Sequence, residues 1–226
     1  MNRVLWFLFV VCLLLICLPF LEKLRRESTL QLDKVLYVDH NPQLYLKLLE
    51  NKRLRLVYSK TTIKGLQLDA YLMMQDHEKI IETMNILESA PMGKGAKLEF
   101  NEKKLSYYCL KGNQVKAKEA LDAIHQLLDK VKKDKYQKIV VDSDIIYGIY
   151  IDKDVSLIDD LEKQVETQEG STKGITLFRL AKLYLIKQES KRCISMLQQA
   201  TSLVKGTSYE EIVKECLNNL AKLDEY

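Results

Sequence analysis

The sequence predicts an all-α protein in which one N-terminal hydrophobic helix precedes a series of antiparallel helix hairpins. Glycine and proline, which punctuate turns and interrupt helices, number only 8 and 3 in 226 residues. Leucine, lysine, glutamate, glutamine and alanine, which favour helices, are abundant instead. From residue 22 onwards, apolar residues recur at helical and not at strand spacing. Together these observations predict long helices joined by short loops.

The N-terminal segment at 4–21 reads VLWFLFVVCLLLICLPFL, eighteen residues without a charge. As a helix it would measure about 27 Å, close to the bilayer core of about 30 Å. A cleaved signal peptide is the alternative, but no A-x-A-like triplet of small residues follows the run. The sequence therefore predicts a transmembrane anchor with a basic flank at 1–26, followed by a helical domain at 27–226.

Charges flanking the hydrophobic run predict its orientation. Lys23, Arg25 and Arg26 follow it, whereas Arg3 and the α-amino group precede it. Flanks rich in lysine and arginine stay in the cytoplasm. The three cysteines outside the run are an odd number at wide spacing, which does not indicate a disulfide framework. We therefore expect a single-pass membrane protein whose domain is cytoplasmic rather than extracytoplasmic.

Helices in the domain are predicted from capping residues and apolar spacing. Asn41 reads as an N-cap, with Pro42 at the first helical position. A long helix follows at 54–74 and another at 77–89, and the clearest loop is PMGKGAK at 91–97. Short connections favour antiparallel neighbours. The remaining helices are predicted at 98–111, 114–131, 136–151, 155–167, 173–187, 190–204 and 208–223.

An internal repeat is visible within these helices. Large, small and tyrosine positions recur in LFRLAKLYLIKQESKRCISMLQQA, around Cys193, and in LSYYCLKGNQVKAKEALDAI, around Ala117. A looser copy surrounds Ile80, 37 residues before Ala117. The 76 residues between Ala117 and Cys193 leave room for one degenerate copy near Leu157 and Leu161. A helical bundle without repeats is the alternative.

The repeated residues resemble the tetratricopeptide repeat (TPR), over roughly residues 60–204. The resemblance implies a short solenoid in which hairpins stack on one another. It implies units at roughly 60–91, 98–131, 136–167 and 173–204, with a capping helix at 208–223. The residues at the family's packing positions are Tyr71, Ile80, Tyr108, Gly112, Ala117, Ala181, Tyr184, Cys193 and Ala200.

TPR domains bind peptides on a concave face formed by the first helix of each hairpin, and the resemblance implies the same face here. Most of the corresponding residues are apolar, so the ligand would be an amphipathic or extended apolar segment. The carboxylate-clamp residues of some family members are not reproduced. The implied groove residues are Asp69, Leu72, Met73, Ser106, Cys109, Lys182, Leu185 and Ile186.

No catalytic, cofactor or metal site is predicted. The loop PMGKGAK lacks the spacing and the hydroxyl residue of a phosphate-binding loop. The three histidines lie in unrelated segments, and no serine or cysteine carries a nucleophile signature. An acidic cluster lacks the spacing and the glycine of a calcium loop, and is interpreted as solvated surface and a helix cap. Its members are Asp142, Asp144, Asp152, Asp154, Asp159 and Asp160.

These patterns predict a class of function. The net charge is +4 with both signs interspersed, so nucleic-acid binding is not expected. The leading hypothesis is a non-enzymatic, membrane-anchored TPR-like protein. Residues 4–21 would hold it in the membrane, and its helical domain would bind or scaffold a partner protein there. One alternative is an envelope-side accessory factor or chaperone for secreted proteins. Another is an enzyme with an unrecognised site.

Overall fold

A computed structural model describes the backbone of residues 2–128, 133–207 and 209–226. Side chains are described throughout these ranges except at 2–5, 8–17 and 133–135. Within these ranges the regular structure is entirely helical, with no strand, so the all-α prediction is confirmed. Predicted helix residues 129–131 and 208 lie outside the described ones. The chain divides into two compact units, residues 1–91 and 92–226.

The first unit contains five helices among its described residues. They are α1 (Asn2–Asp33), which continues as a π-helical turn (Lys34–Val38), α2 (Pro42–Leu49), α3 (Leu54–Val57), α4 (Lys60–Met74) and α5 (His77–Glu88). The predicted N-cap is confirmed, because the Asn41 side chain accepts a hydrogen bond from the Leu44 N–H at 2.9 Å. The predicted helix at 54–74 is broken at Tyr58, whose backbone is extended (φ −119°, ψ 137°). Ser59 then caps α4 by accepting from the Thr62 N–H at 3.0 Å.

The predicted membrane anchor is corrected by the structure. Among the described residues, none of the helices combines the length and the apolar character that a membrane crossing requires. Among the described side chains of α1, five charged residues lie between positions 22 and 27. The transmembrane helix at 4–21 and the single-pass localisation were therefore wrong predictions. The side chains of residues 4, 5 and 8–17 of that segment lie outside the described ones.

The second unit contains seven helices among its described residues. They are α6 (Lys94–Leu110), α7 (Gln114–Leu128), α8 (Lys133–Tyr147) with a π-helical turn (Gly148–Asp152), a 3-10 turn (Val155–Leu157) leading into α9 (Ile158–Thr167), α10 (Gly170–Ile186), α11 (Ser190–Leu203), α12 (Tyr209–Asn218) and a final 3-10 turn (Leu220–Asp224). α6 begins inside the predicted loop at 91–97, because Gly93 takes the extended N-cap conformation (φ −64°, ψ 155°). Asn219, also extended, interrupts the helix predicted at 208–223.

Five helix–turn–helix connections use the same backbone device, a residue in the left-handed region. These residues are His40 (φ 47°), Gln75 (54°), Gly112 (62°), Lys153 (54°) and Gln188 (63°). In each case the next helix begins two residues later, at Pro42, His77, Gln114, Val155 and Ser190. These five residues follow one another at intervals of 35, 37, 41 and 35 residues, whereas Gly170 (φ 57°) and Gly206 (φ 75°) are also left-handed but lie outside this series. The connections therefore recur with a nearly constant period.

Backbone hydrogen bonds close these connections in two ways. Behind Gln75, Gly112 and Gln188 the next N–H donates to a carbonyl five residues earlier, which is the Schellman pattern. The pairs are Asp76 to Tyr71 (3.1 Å), Asn113 to Tyr108 (2.9 Å) and Glu189 to Tyr184 (2.8 Å). The other two connections follow π-helical turns and reach back six residues, from Asn41 to Val35 (3.0 Å) and from Asp154 to Gly148 (2.9 Å).

A buried residue recurs at a fixed distance after each of these turns. The residue five positions after each of these five left-handed residues is at most 5% exposed; these residues are Tyr45, Ile80, Ala117, Ile158 and Cys193. The connection at His40 was not predicted as a repeat, yet LYVDHN at 36–41 matches IYIDKD at 149–154 in character. The chain is thus a helical, repeat-like all-α protein.

Candidate functional site

Most residues at the packing positions that the TPR resemblance implies lie in the interior of the helical units. Tyr108 and Tyr184 are buried, whereas Tyr71 is half-buried. Gly112 occupies one of the left-handed turns. Four small side chains at these positions, Ala117, Ala181, Cys193 and Ala200, are fully buried and leave room for neighbouring helices to approach. Ile80 and Tyr184 are fully buried as well.

A tyrosine–cation pair recurs in two hairpins. The Lys116 Nζ donates to the Tyr108 hydroxyl at 3.4 Å and lies 5.1 Å from the ring centroid. The Arg192 guanidinium donates to the Tyr184 hydroxyl at 3.4 Å and lies 5.3 Å from that ring. Burial, and then a hydrogen bond to Glu162, raise the pKa of Tyr184. Each cation follows its tyrosine by eight residues. This spacing is present in the sequence but was not among the repeated positions from which the hairpins were predicted.

The implied groove residues are mostly covered. Met73 is half-buried and packs against the core of the first unit, and Leu185 and Ile186 do the same in the second. Cys109 is buried, and its burial raises the pKa of its thiol to about 12. The other half-buried groove residues are Asp69, Leu72 and Ser106. These positions do not form a continuous exposed apolar strip within either unit.

Lys182, the basic residue of the implied groove, is buried and only 7% exposed. Its ammonium donates to the Leu223 carbonyl and lies 4.6 Å from the Tyr150 ring centroid. Burial lowers the pKa of Lys182 to about 8, although the Asp224 charge acts in the opposite direction. Lys182 therefore holds the C-terminal 3-10 turn against α10 and is not displayed to a ligand.

A cleft in the second unit is a better candidate site. It has a volume of about 470 Å³ and lies between α7, α8 with its π-helical turn, and α9. Its lining residues are Lys118, Leu121, Val141, Asp144, Ile145, Tyr147, Gly148, Asp152, Asp154, Leu157, Asp160, Leu161 and Gln164. No sequence pattern predicted this cleft.

The floor of the cleft is apolar and belongs to the core. Leu121, Ile145 and Leu161 are all buried. Gly148 allows a close approach at one end, because a Cβ there would lie 2.7 Å from the Leu157 Cδ1. The floor is therefore supported by packing and does not depend on a ligand for its shape.

The rim of the cleft is acidic. Four aspartates and one lysine line it, which gives these residues a formal charge of −3. The Asp144 carboxylate lies 2.8 Å from the His125 Nε2. The Asp160 carboxylate pairs with Lys163 at 3.0 Å. Both pairs are exposed, where solvent weakens the attraction between charges.

The fold separates the six aspartates of the acidic cluster, because only four of them line the cleft. Asp144, Asp152, Asp154 and Asp160 line the cleft. The cap prediction is confirmed, since the Asp154 carboxylate accepts from the Ser156 N–H at 2.9 Å. No set of three or more histidine, cysteine, aspartate or glutamate side chains in the described residues is placed to hold a metal ion.

Comparison with known proteins adds no relative to this picture. No protein-family model, no curated protein and no solved structure matches the chain. The TPR resemblance therefore depends on this chain's own residues and hairpins.

Proposed function

We propose that this chain is a non-enzymatic, TPR-like helical-repeat protein whose function is to bind a partner protein. The proposal depends mainly on one observation. Each of five helix connections contains a left-handed residue, and these residues follow one another at intervals of 35 to 41 residues. A TPR unit is about 34 residues long and consists of one helix–turn–helix. Stacked units of this kind present extended surfaces, which such proteins use for binding.

Side-chain packing gives this proposal a second support. In α10 and α11, Ala181, Tyr184, Cys193 and Ala200 occupy TPR framework positions and are fully buried. Small residues at three of these positions fit the close approach of two helices in a TPR unit. The extensive contact between α10 and α11 is consistent with such a hairpin.

The state of the thiols favours a non-enzymatic role. Cys109, Cys193 and Cys216 are all buried. Burial raises the pKa of the Cys193 and Cys216 thiols to about 11. A nucleophilic cysteine needs a thiolate near neutral pH, and burial in apolar surroundings opposes this.

Site-specific photo-cross-linking in the cells that make the protein tests the proposal. A photoreactive amino acid would replace Val115, Val141 or Ile194 of the full chain, one at a time, because these three side chains are exposed. We expect irradiation to join the chain covalently to a partner protein from some of these positions. The adducts should have the same mass at each position that forms one. The matched control places the same amino acid at the buried Leu197, which should give no adduct with another chain. Failure to form an adduct from any exposed position would contradict partner binding.

A further inference from the structure

We propose that the cleft between α7, α8 and α9 binds a lysine or arginine side chain of a partner polypeptide segment. This inference rests on the proposed function and names the chemistry of the partner. The aliphatic stem of the incoming residue would lie on the apolar floor, and its charged head would lie among the rim carboxylates.

The cleft has room for such a side chain, and its floor is apolar. A volume of about 470 Å³ is within the usual range for ligand sites, roughly 300–1,000 Å³. Lysine and arginine bury their aliphatic stems along apolar surfaces while their charged heads stay near water. The buried Leu121, Ile145 and Leu161 supply that surface directly below the acidic rim.

The rim favours a cation over an anion. The lining aspartates outnumber the lining lysine by four to one. Burial, and then the charge of Asp152, raise the pKa of the Tyr147 hydroxyl in the cleft wall. A partial enclosure with one sign of charge attracts ligands of the opposite sign.

An ammonium group of the chain itself already occupies part of this wall. The Lys118 Nζ lies 3.0 Å from the Asp122 carboxylate and 5.8 Å from the Tyr147 ring centroid. A hydrogen bond to Asp122 contributes most to raising the pKa of Lys118, and Tyr147 and Asp152 add to the effect. The Tyr147 ring and the Asp152 carboxylate both line the cleft, so a second cation there would meet these two groups.

The test is a selection of displayed random peptides on the immobilised full chain. We expect lysine and arginine to be enriched among the selected peptides. Replacing arginine by citrulline, its neutral isostere, in a selected peptide should weaken binding about tenfold, which corresponds to about 1.4 kcal/mol. The same peptide should bind less tightly as ionic strength rises.

Paired variants assign the binding to the cleft. Asp152→Asn with Asp160→Asn should weaken binding of the selected arginine peptide about tenfold. The matched control is Asp159→Asn with Glu166→Gln, which removes the same charge from exposed residues outside the cleft lining and should have no such effect. At one rim position, Val141→Lys should weaken binding of this peptide whereas Val141→Glu should preserve it. Circular dichroism of each variant confirms that the helices are intact.

The outcomes separate this inference from the proposed function. Peptides that bind without basic enrichment, or whose binding is equally affected by both double variants, would overturn the cleft inference and leave partner binding in place. A selection that yields no binding peptide would count against both.

Discussion

Lys182 is the residue whose environment differs most from its expected role. The TPR resemblance implied a groove residue that meets a ligand, but its ammonium is held by the Leu223 carbonyl and the Tyr150 ring. A charged group removed from water loses solvation that one hydrogen bond and one aromatic face restore in part. Its lowered pKa is the consequence of this loss.

Lys182 should make stability rise with pH on the alkaline side of neutrality. Its pKa is about 8 in the folded chain and 10.5 as the ordinary value, so between these values the unfolded chain binds more protons. The burial penalty is fully present below pH 8 and is relieved as pH rises towards 10.5. Between about pH 7 and about pH 9.5, we expect the wild type to gain about 1–2 kcal/mol relative to Lys182→Met. Chemical denaturation at several pH values measures this difference.

Measuring the difference at several pH values separates the titration of Lys182 from the contacts that Lys182→Met removes. Methionine also leaves the Leu223 carbonyl without this donor, but that loss is independent of pH. Lys191→Met, at an exposed position on α11, is the matched control and should follow the wild type. Parallel curves for wild type and Lys182→Met would show that Lys182 keeps its ordinary pKa. The raised pKa values of the buried Cys109, Cys193, Cys216 and Tyr150 act in the opposite direction at alkaline pH, but they do so in the wild type and the variant alike and therefore cancel in the difference.

Among the helices and turns, the left-handed connections are the feature that recurs most closely. A glycine adopts this conformation freely, whereas other residues are strained there by their Cβ. Four of the five connections nevertheless use a residue other than glycine, namely His40, Gln75, Lys153 and Gln188. The hydrogen bonds behind the turn compensate for that strain.

Opposite substitutions at two equivalent turns should have opposite effects. Gly112→Ala should destabilise the chain by about 1 kcal/mol, because φ is +62° there and a Cβ is disfavoured. Gln188→Gly should stabilise it by roughly 0.5 kcal/mol, since relief of strain exceeds the added freedom of the unfolded chain. Free energies of unfolding from denaturant titration measure both changes. If both substitutions destabilise equally, the side chain of Gln188 contributes more than its backbone strain removes.

Sequence patterns predicted the helices better than their boundaries. The caps at Asn41 and Asp154 were identified because an Asn or Asp side chain can accept a backbone N–H at a helix start. The break at Tyr58 was missed because apolar periodicity continues through it, and periodicity does not record a single extended residue. The start of α6 was missed because Gly93 and Gly95 suggested a loop, whereas Gly93 serves as an N-cap.

At the scale of the molecule, helices contact mainly their neighbours in the chain. In the second unit the most extensive contacts join α10 with α11 and α6 with α7. Stability in such an arrangement is approximately a sum over hairpins and the interfaces between neighbours. A local change should therefore affect its own hairpin most.

Ala117→Leu tests this locality. Ala117 is fully buried, so a leucine would overpack α7 against its neighbours and cost about 1–3 kcal/mol. Native-state hydrogen exchange should show the largest loss of protection in α6, α7 and α8, and the smallest in α12. Gln114→Leu, at an exposed position on α7, adds a leucine without overpacking and should leave protection unchanged. Equal loss throughout the second unit would show one cooperative block instead.

The candidate site could be predicted only in fragments. The aspartates were visible as an acidic cluster, but the cleft also needs Lys118 and Leu121 from α7, which are distant in sequence. The π-helical turn at Gly148–Asp152 brings Asp152 to the rim, and the apolar spacing of the sequence does not predict such a turn. The anchor prediction was made from the apolar letters at 4–21 alone, and none of the described helices is long and apolar enough to cross a membrane.

A left-handed residue shared by five connections has a consequence for how such a chain can change. A segment that runs from one of these residues to the next can be duplicated or removed as a whole, and the chain on either side then meets a similar junction. The intervals of 35 to 41 residues show that each copy also tolerates added or missing residues between its turns. Copy number is then a variable that gene duplication can alter in whole steps. For an engineer, the natural places to cut and rejoin this chain lie at the left-handed residues.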